Sequence, residues 1–282
     1  MVHGDFLSVE KIREFLKEDI GLGDITSNTL IPAEQKAKAK FYYREKGIAA
    51  GLKEARIIYE LLGCKFKQHK DEGTVAEPHE ILFKVEGPAR RLFEGERVGS
   101  NLIGRMAGIA STTHELVEKT KGKIRVAATR KTAPGLSIFD KRAVVLGGGD
   151  THRFRLDDCV LIKDNHLTLL SSITEAVKRA RNGVSFTKKI EIEIRTLEEA
   201  VEAAEAGADI IMFDNMPPAE IKRCLKHLSE RGLREGRIFE ASGGVTPENI
   251  VGYADSGVDV VSMGHLTHSI RSLDVKLEIE ML

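Results

Sequence analysis

The 282-residue chain has no tryptophan, only three cysteines and no excess charge of either sign. Its 43 Lys and Arg balance 43 Asp and Glu, so net charge draws it neither to nucleic acid nor to an anionic membrane surface. Cys64, Cys159 and Cys224 are odd in number and far apart. That fits neither a disulfide framework nor a zinc site, and it points to a reduced, cytoplasmic compartment. No run approaches the roughly 18 apolar residues that a membrane helix needs. The start, MVHGDFLSVEKIREF, lacks the basic-then-apolar layout of a secretory signal. Among the histidines no HxH or HExxH spacing supports a zinc centre, and no Ser-His-Asp or Cys-His set can be argued from spacing. The length allows one large domain or two moderate ones with a sizeable core.

What the chain does have is two dense polar clusters, each standing after a short apolar run. Ile124–Ala128 leads into Thr129-Arg130-Lys131-Thr132, and Cys159–Ile162 leads into Lys163-Asp164-Asn165-His166. Between them lie Gly147-Gly148-Gly149 and the pair His152-Arg153. So many cations at strand ends, with few interleaved acids, predict a pocket for a polyanion rather than a solvated face.

Before these clusters the chain reads as an α+β unit of about a hundred residues, a normal domain size. Residues 8–18 place Val9, Ile12, Phe15 and Leu16 on one helical face. DIGLGDITSNTLIP reads as a glycine-punctuated turn, 37–50 as strands, Leu52–Leu62 as a helix ending at Gly63, and Lys65–Val85 as two more strands. From Pro88 to Lys119 the spacing is helical, with Gly99, Gly104 and Gly108 predicting either a break or a tight packing contact. Arg97, Asn101 and Arg105 recur every four residues and share a face.

After Lys121 strands and helices alternate. The strands are 124–128, 159–162, 189–194, 209–213, 237–241 and 258–262, with helices clearest at 196–206, 218–230 and 247–255. Each strand runs at once into polar chemistry: Thr129-Arg130-Lys131, Lys163-Asp164-Asn165, Glu193-Ile194-Arg195, Asp214-Asn215, Ser242-Gly243-Gly244 and Met263-Gly264-His265. A parallel βα barrel would gather all six at one mouth, whereas an open sheet would spread them along a line. The barrel is therefore the expected fold.

In such a barrel the acids of KIEIEI cannot all face water, and a buried acid needs a partner. Glu193 and Asp214, ending neighbouring strands, make a carboxylate pair for Mg²⁺, held directly or through water or substrate. Salt bridges to Lys131 or Lys163 are the competing reading. Ser242-Gly243-Gly244 turns towards a helix with Pro247 in its first turn, and Ser262-Met263-Gly264-His265 repeats the arrangement one unit later. Glycine turns after late barrel strands, with a helix amino end behind them, form a phosphate cradle. His152 beside Arg153 reads as an anion ligand or a donor behind one.

These motifs resemble the quinolinate phosphoribosyltransferase family. The segments that carry the likeness are EDIGLGDITS, ERVGSNLIGRMAGIAS, ATRKTAPGL, GGGDTHR, LIKDNH, EIEI, FDNM, EASGG and GHLTHS. The resemblance implies an α/β protein with an N-terminal open sandwich over 1–106 and an incomplete seven-stranded parallel α/β barrel over 107–269, the tail 270–282 packing on the first domain. It implies a homodimer in which Arg97 reaches the partner's site. Arg130, Arg153 and Lys163 would hold quinolinate, with Thr129, Lys131 and His152 alongside. Glu193 and Asp214 would serve the ribose and Mg²⁺ side of phosphoribosyl pyrophosphate (PRPP), and Ser242, Gly243, Gly244, Met263, Gly264, His265 and His268 its phosphates. Lys131, Lys163, Glu193 and Asp214 would be the catalytic set. The implied reaction joins the pyridine nitrogen to ribose C1, expels pyrophosphate and releases CO₂, giving nicotinate mononucleotide for de novo NAD synthesis.

Arg195, His265 and Gly99-Ser100 depart from the family pattern, His265 within the predicted phosphate turn and the others at no matched ligand. Rival readings are a phosphoribosyltransferase for nicotinate or another acidic ring, and a non-catalytic phosphate-ligand sensor. A sensor would have no use for the Glu193, Asp214, Lys131 and Lys163 set.

Overall fold

The computed structural model describes residues 5–282, with side chains described from Leu7 onward. The first four residues of the stretch read for a secretory signal, His3 among them, lie outside the described residues. The strands are β1 (Lys36–Tyr43), β2 (Gly47–Ile48), β3 (Lys65–Gln68), β4 (Val75–Ala76), β5 (Ile81–Pro88) and β6 (Arg125–Ala127). Beyond them run β7 (Val160–Ile162), β8 (Ile190–Ile194), β9 (Ile210–Asp214), β10 (Ile238–Ser242), β11 (Val260–Ser262) and β12 (Val275–Met281). Among the described residues no helix is long and apolar enough to cross a membrane.

The chain packs as two units. The first comprises Met1–His114, Thr132–Gly148 and Leu266–Leu282; the second comprises Glu115–Lys131 and Gly149–His265. The resemblance placed the division at 106/107 with the tail 270–282 on the first domain; packing also groups 132–148 with the first unit.

In the first unit an antiparallel sheet runs β12-β1-β5-β3. In β1 the alternation is nearly strict: Ala37, Ala39 and Phe41 are buried, while Lys36 and Lys38 are exposed and Lys40 is half-buried. Phe41 stacks on Phe83 at 4.4 Å between ring centroids, with Tyr59 of the helix Leu52–Leu61 tilted against both. The tail strand β12 pairs with β1 along its whole length, from Ala37 opposite Met281 to Tyr43 opposite Val275. The expected turn at 19–32 contains a helix, Ile25–Leu30, whose amino end is capped by the Asp24 carboxylate accepting from the Ser27 N–H at 3.1 Å. The glycines after Pro88 mark close packing and not a break, because one helix runs unbroken from Ala89 to Thr120. A Cβ at Gly104 would fall 2.7 Å from the Leu273 carbonyl oxygen, and one at Gly108 2.0 Å from that of Arg271. Only glycine lets the returning chain lie against this helix.

The second unit is a parallel sheet of order β6-β11-β10-β9-β8-β7. All six strands stand where the apolar runs placed them. The expected seventh is reduced to a single parallel bridge between Asp150 and Ala127 on the outer side of β6. Gly149 precedes it, and His152 follows at a left-handed φ of 50° that extended pairing cannot accommodate, so the ladder stops after one residue. Ile190, Ile192, Ile194, Ile211, Phe213, Phe239 and Ala241 are fully buried. On β8 and β9 the alternate positions carry Glu191, Glu193, Met212 and Asp214. The helices Ile173–Gly183 and Leu197–Glu205 are capped by the Ser172 and Thr196 hydroxyls, the latter in a reciprocal box with Glu199.

Candidate active site

Strand register gathers the polar groups. Across four neighbouring strands Ala127, Ser262, Ser242 and Asp214 occupy one row at the carboxyl ends. The residues just beyond this row, Thr129-Arg130-Lys131 after β6 and Met263-Gly264-His265 after β11, therefore rim the same mouth. Arg130 and Lys131 are exposed, and Thr129 Oγ accepts the Lys131 N–H at 3.1 Å. Met263 is buried, its N–H donating to the Ala127 carbonyl at 3.0 Å, and it anchors the turn more than it lines it.

The two proposed metal carboxylates each hold a cation. Lys163 Nζ donates to Glu193 Oε1 at 2.7 Å. Arg195 donates to Asp214 Oδ2 from Nε at 3.0 Å and from a terminal nitrogen at 2.9 Å, and that nitrogen also reaches Asp164 at 2.9 Å. Both acids are largely covered, with 14 % and 17 % of their side chains exposed, against 43 % for Lys163 and 57 % for Arg195. The anionic half of each pair is built into the wall and the cationic half faces solvent, so these carboxylates can exchange one cation for another. Arg195, set aside at the sequence level as touching no matched ligand, lies directly on Asp214. His166, from the same cluster as Lys163, accepts the Lys163 N–H on Nδ1 at 2.9 Å and fixes that turn.

The phosphate cradle keeps its glycines and loses its helix. The helix behind Ser242-Gly243-Gly244 runs only from Ile250 to Ala254, and Pro247 stands in the turn before it. Its short dipole adds little, and the turn's exposed N–H groups are what an anion would meet. Gly243 and Gly244 both take positive φ, 82° and 64°. Asn215, also left-handed at 54°, lies against Gly243 and donates to Asp214 from its amide at 2.9 Å. The Gly264 turn likewise opens onto only one helical turn, His265–His268.

Below the mouth sits a group that spacing did not reveal. His152 Nε2 lies 3.2 Å from Glu240 Oε2 and 3.5 Å from Glu191 Oε1. Glu191 has no exposed surface, and Glu240 is also buried and accepts the Ser262 hydroxyl on its other oxygen. Of the two readings of His152, an anion ligand or a donor behind one, the geometry fits the second, since its Nε2 faces two carboxylates. Burial opposes a charge on the imidazole, and the contacts with the carboxylates of Glu191 and Glu240 more than offset it, raising its pKa to about 10. Burial raises Glu191 as well. The Arg153 N–H points at Nδ1 at 2.7 Å, which accepts only while unprotonated. The extra proton of the trio thus belongs on the Nε2 side, shared with the acids. These three are also the group whose donor atoms, within 4.8 Å of one another, could hold a metal, but a metal there would have to displace that shared proton. Burial pushes the neighbouring Cys159 thiol up to about 11, so it is no nucleophile at neutral pH. Glu240 was discoverable: an acid inside the apolar strand RIFEA needs a partner for the same reason as Glu191 and Glu193.

Two predicted residues belong to the first unit. Arg97 lines a shallow groove there with Asn101, Arg105, Ser272 and Asp274, and Arg105 makes a two-pronged bond to the buried Asp140 at 2.7 and 2.8 Å. His268 is exposed, its Nδ1 2.6 Å from the Ser269 hydroxyl.

A family model described as "Quinolinate phosphoribosyl transferase, C-terminal domain" matches residues 109–278, and the corresponding N-terminal domain matches 24–107. The chain is 45 % identical over 274 residues to a probable nicotinate-nucleotide pyrophosphorylase [carboxylating] of Methanothermobacter thermautotrophicus, covering 96 % of this chain and 98 % of that one. It is 36 % identical to the nicotinate-nucleotide pyrophosphorylase [carboxylating] of Homo sapiens, covering 89 % of this chain and 84 % of that one. The crystal structure of nicotinate-nucleotide pyrophosphorylase from Ehrlichia chaffeensis superposes with a TM-score of 0.91 at 34 % identity, covering 99 % of this chain and 100 % of that one. With both domain models matched in sequence order and relatives similar along nearly their whole length, this chain belongs to the quinolinate phosphoribosyltransferase family.

Proposed function

We propose that this protein transfers the phosphoribosyl group of PRPP to the ring nitrogen of quinolinate and releases CO₂ and pyrophosphate, giving nicotinate mononucleotide. The observation that carries this reading is the mouth of the second unit, where two walled-in carboxylates with exchangeable cations stand in one rim with Arg130, Lys131, Lys163 and the Gly243-Gly244 turn. Arg130, Arg153 and Lys163 bind the two carboxylates of quinolinate and aim its nitrogen at ribose C1. That nitrogen donates its pair to C1 as the C1–O bond breaks and pyrophosphate leaves with the bonding electrons. The C2 carboxylate then departs as CO₂, leaving its electron pair on the ring carbon, which takes a proton from solvent. Fixed cations around the ring stabilise that pair, and Lys131 offsets charge growing on the leaving group.

Glu193 and Asp214 fit a hard divalent cation: both are carboxylates, both lie near the carboxyl ends of neighbouring strands, and both already attract a positive group. Mg²⁺ held there would supply further charge compensation to the pyrophosphate. Gly243, Gly244 and the Gly264 turn, with His265 and His268, serve the phosphates. We further propose a homodimer in which the partner's Arg97 completes each acid-binding site, and a cytoplasmic location, consistent with three unpaired cysteines.

The test is product analysis with PRPP, Mg²⁺ and either quinolinate or nicotinate. Nicotinate mononucleotide and CO₂ from quinolinate alone is the expected result. Product from nicotinate alone would move the substrate to the monocarboxylate, and no product from either with folded protein would overturn the reading.

A further inference from the structure

Arg153 can hold a carboxylate only if its backbone is fixed, yet it follows a residue in an unfavourable conformation. His152 is left-handed at a φ of 50°, a region that non-glycine residues adopt only when their surroundings hold them there. Three bonds do so. The His152 N–H donates to Asp150 Oδ1 at 2.8 Å, and Asp150 is itself bridged to Ala127 of β6. The imidazole Nδ1 receives the Arg153 N–H at 2.7 Å. At the far side of the ring, Nε2 meets Glu240 Oε2 at 3.2 Å, with Glu191 Oε1 at 3.5 Å. Glu240 does not swing freely, because Ser262 donates to its other oxygen and Ser262 also pairs with Ser242 at 3.0 Å. Glu191 Oε1 has no hydrogen-bond partner, so its share is electrostatic, and Glu240 makes the directional contact. A row of hydrogen bonds thus runs from β10 and β11 through the imidazole to the backbone of Arg153. The guanidinium end of Arg153 is tied separately to the Cys159 carbonyl at 3.3 Å.

We propose that Glu240, acting through His152, is a positioning residue for Arg153 and so sets the affinity for the acidic ring. This rests on the reading that Arg153 binds a quinolinate carboxylate. Glu240 touches no substrate, and its effect belongs to the acid-binding half of the site and not to the pyrophosphate half. Supporting groups of this kind change activity about 10- to 100-fold when lost.

The experiment measures the KM for quinolinate, the KM for PRPP and kcat in Glu240→Leu, Glu240→Gln and Arg153→Met, with thermal unfolding as a check on folding. Glu240→Leu removes both acceptors and should raise the quinolinate KM about ten-fold while leaving the PRPP KM within about two-fold. Glu240→Gln keeps an oxygen for Nε2–H and an amide for the Ser262 hydroxyl, and should stay within about three-fold of the parent on all three constants. An unchanged or lowered quinolinate KM in Glu240→Leu, or both KM values rising together, overturns the proposal. Should Glu240→Leu fail to fold, Glu240→Asp, which keeps the charge but withdraws it from His152, must show the same split or the idea fails. Arg153→Met separates the two layers. If it leaves the quinolinate KM unchanged, the role of Arg153 is wrong; if it raises that KM and Glu240→Leu does not, only the positioning role is wrong.

Discussion

Two acids compete for one guanidinium inside the first unit, and this makes its stability depend on pH in a calculable way. Glu54, in the first turn of the helix Leu52–Leu61, is 1 % exposed, and its Oε2 lies 2.8 Å from Arg142. Glu72 takes the same guanidinium on both oxygens, and Glu54 Oε1 is left without a partner. Burial raises the Glu54 carboxyl from an ordinary 4.5 to about 7, with Arg142 opposing and Glu72 adding to the rise. The folded state therefore holds a proton that the unfolded chain has released between pH 4.5 and 7, and ionisation costs the fold stability as pH rises. At about 1.4 kcal/mol per tenfold change in equilibrium, the full rise amounts to about 3 kcal/mol, of which about 2.5 falls between pH 5 and pH 8. Glu54→Gln keeps the shape and cannot ionise. Guanidinium unfolding of parent and variant should show the variant gaining about 2.5 kcal/mol relative to the parent from pH 5 to pH 8. Using the difference cancels the titrating groups that lie away from the Glu54–Arg142–Glu72 cluster. A constant difference, or one that moves the other way, would mean that Glu54 is ionised in the fold and that Arg142 outweighs burial.

The site yields three more tests. Arg195→Gln frees Asp214 and Asp164 of their cation, so half-maximal activity should need less Mg²⁺ and Mn²⁺ should bind more tightly by calorimetry; a raised requirement would show that Arg195 assists the metal and does not compete with it. Lys163→Met removes a substrate cation and leaves Glu193 unpaired, and should lower kcat about 100-fold with the unfolding transition little changed; equal turnover would remove Lys163 from the catalytic set. Arg97→Ala should mainly raise the quinolinate KM. Mixing it with Lys131→Met under subunit exchange should restore activity above either variant alone, since one site in a mixed dimer regains both groups, and no gain would place Arg97 in its own chain's site.

The second unit was legible in the sequence because its signals are local. Each strand is a short apolar run closed by polar residues, and parallel strands covered by helices have little freedom to shift register, since a slip of one residue would expose Ile192 or Phe213 and bury the acids' neighbours differently. What was illegible is what depends on the return of the chain. Nothing near Gly104 or Gly108 says that residues 271–273 will lie against them, so a packing contact and a helix break read alike. The seventh strand was implied by the resemblance alone, with no apolar run to mark it, and it comes down to one bridge because His152, two residues after Asp150, turns left-handed and ends the ladder.

The acids of β8 show where local reasoning stops. Glu191 and Glu193 share a face of one strand, two residues apart and chemically the same, and the sequence demanded a partner for each without saying which. The structure divides them by depth. Glu193, one step nearer the carboxyl end, meets Lys163 at the mouth, where a cation from solvent can replace it. Glu191, one step lower, has no exposed surface and meets His152 and the neighbourhood of Glu240. A difference of two residues along a barrel strand, roughly 7 Å of rise, therefore separates an acid available to substrate chemistry from one that belongs to the frame behind it. The rule holds within a strand and not across strands: Glu193 and Glu240 both stand opposite Met212, yet the first meets a cation at the mouth and the second the half-buried His152. Position along β8 thus sorts its two acids, while across strands the partner each side chain meets, Lys163 for Glu193 and His152 for Glu240, divides the rim from the frame behind it.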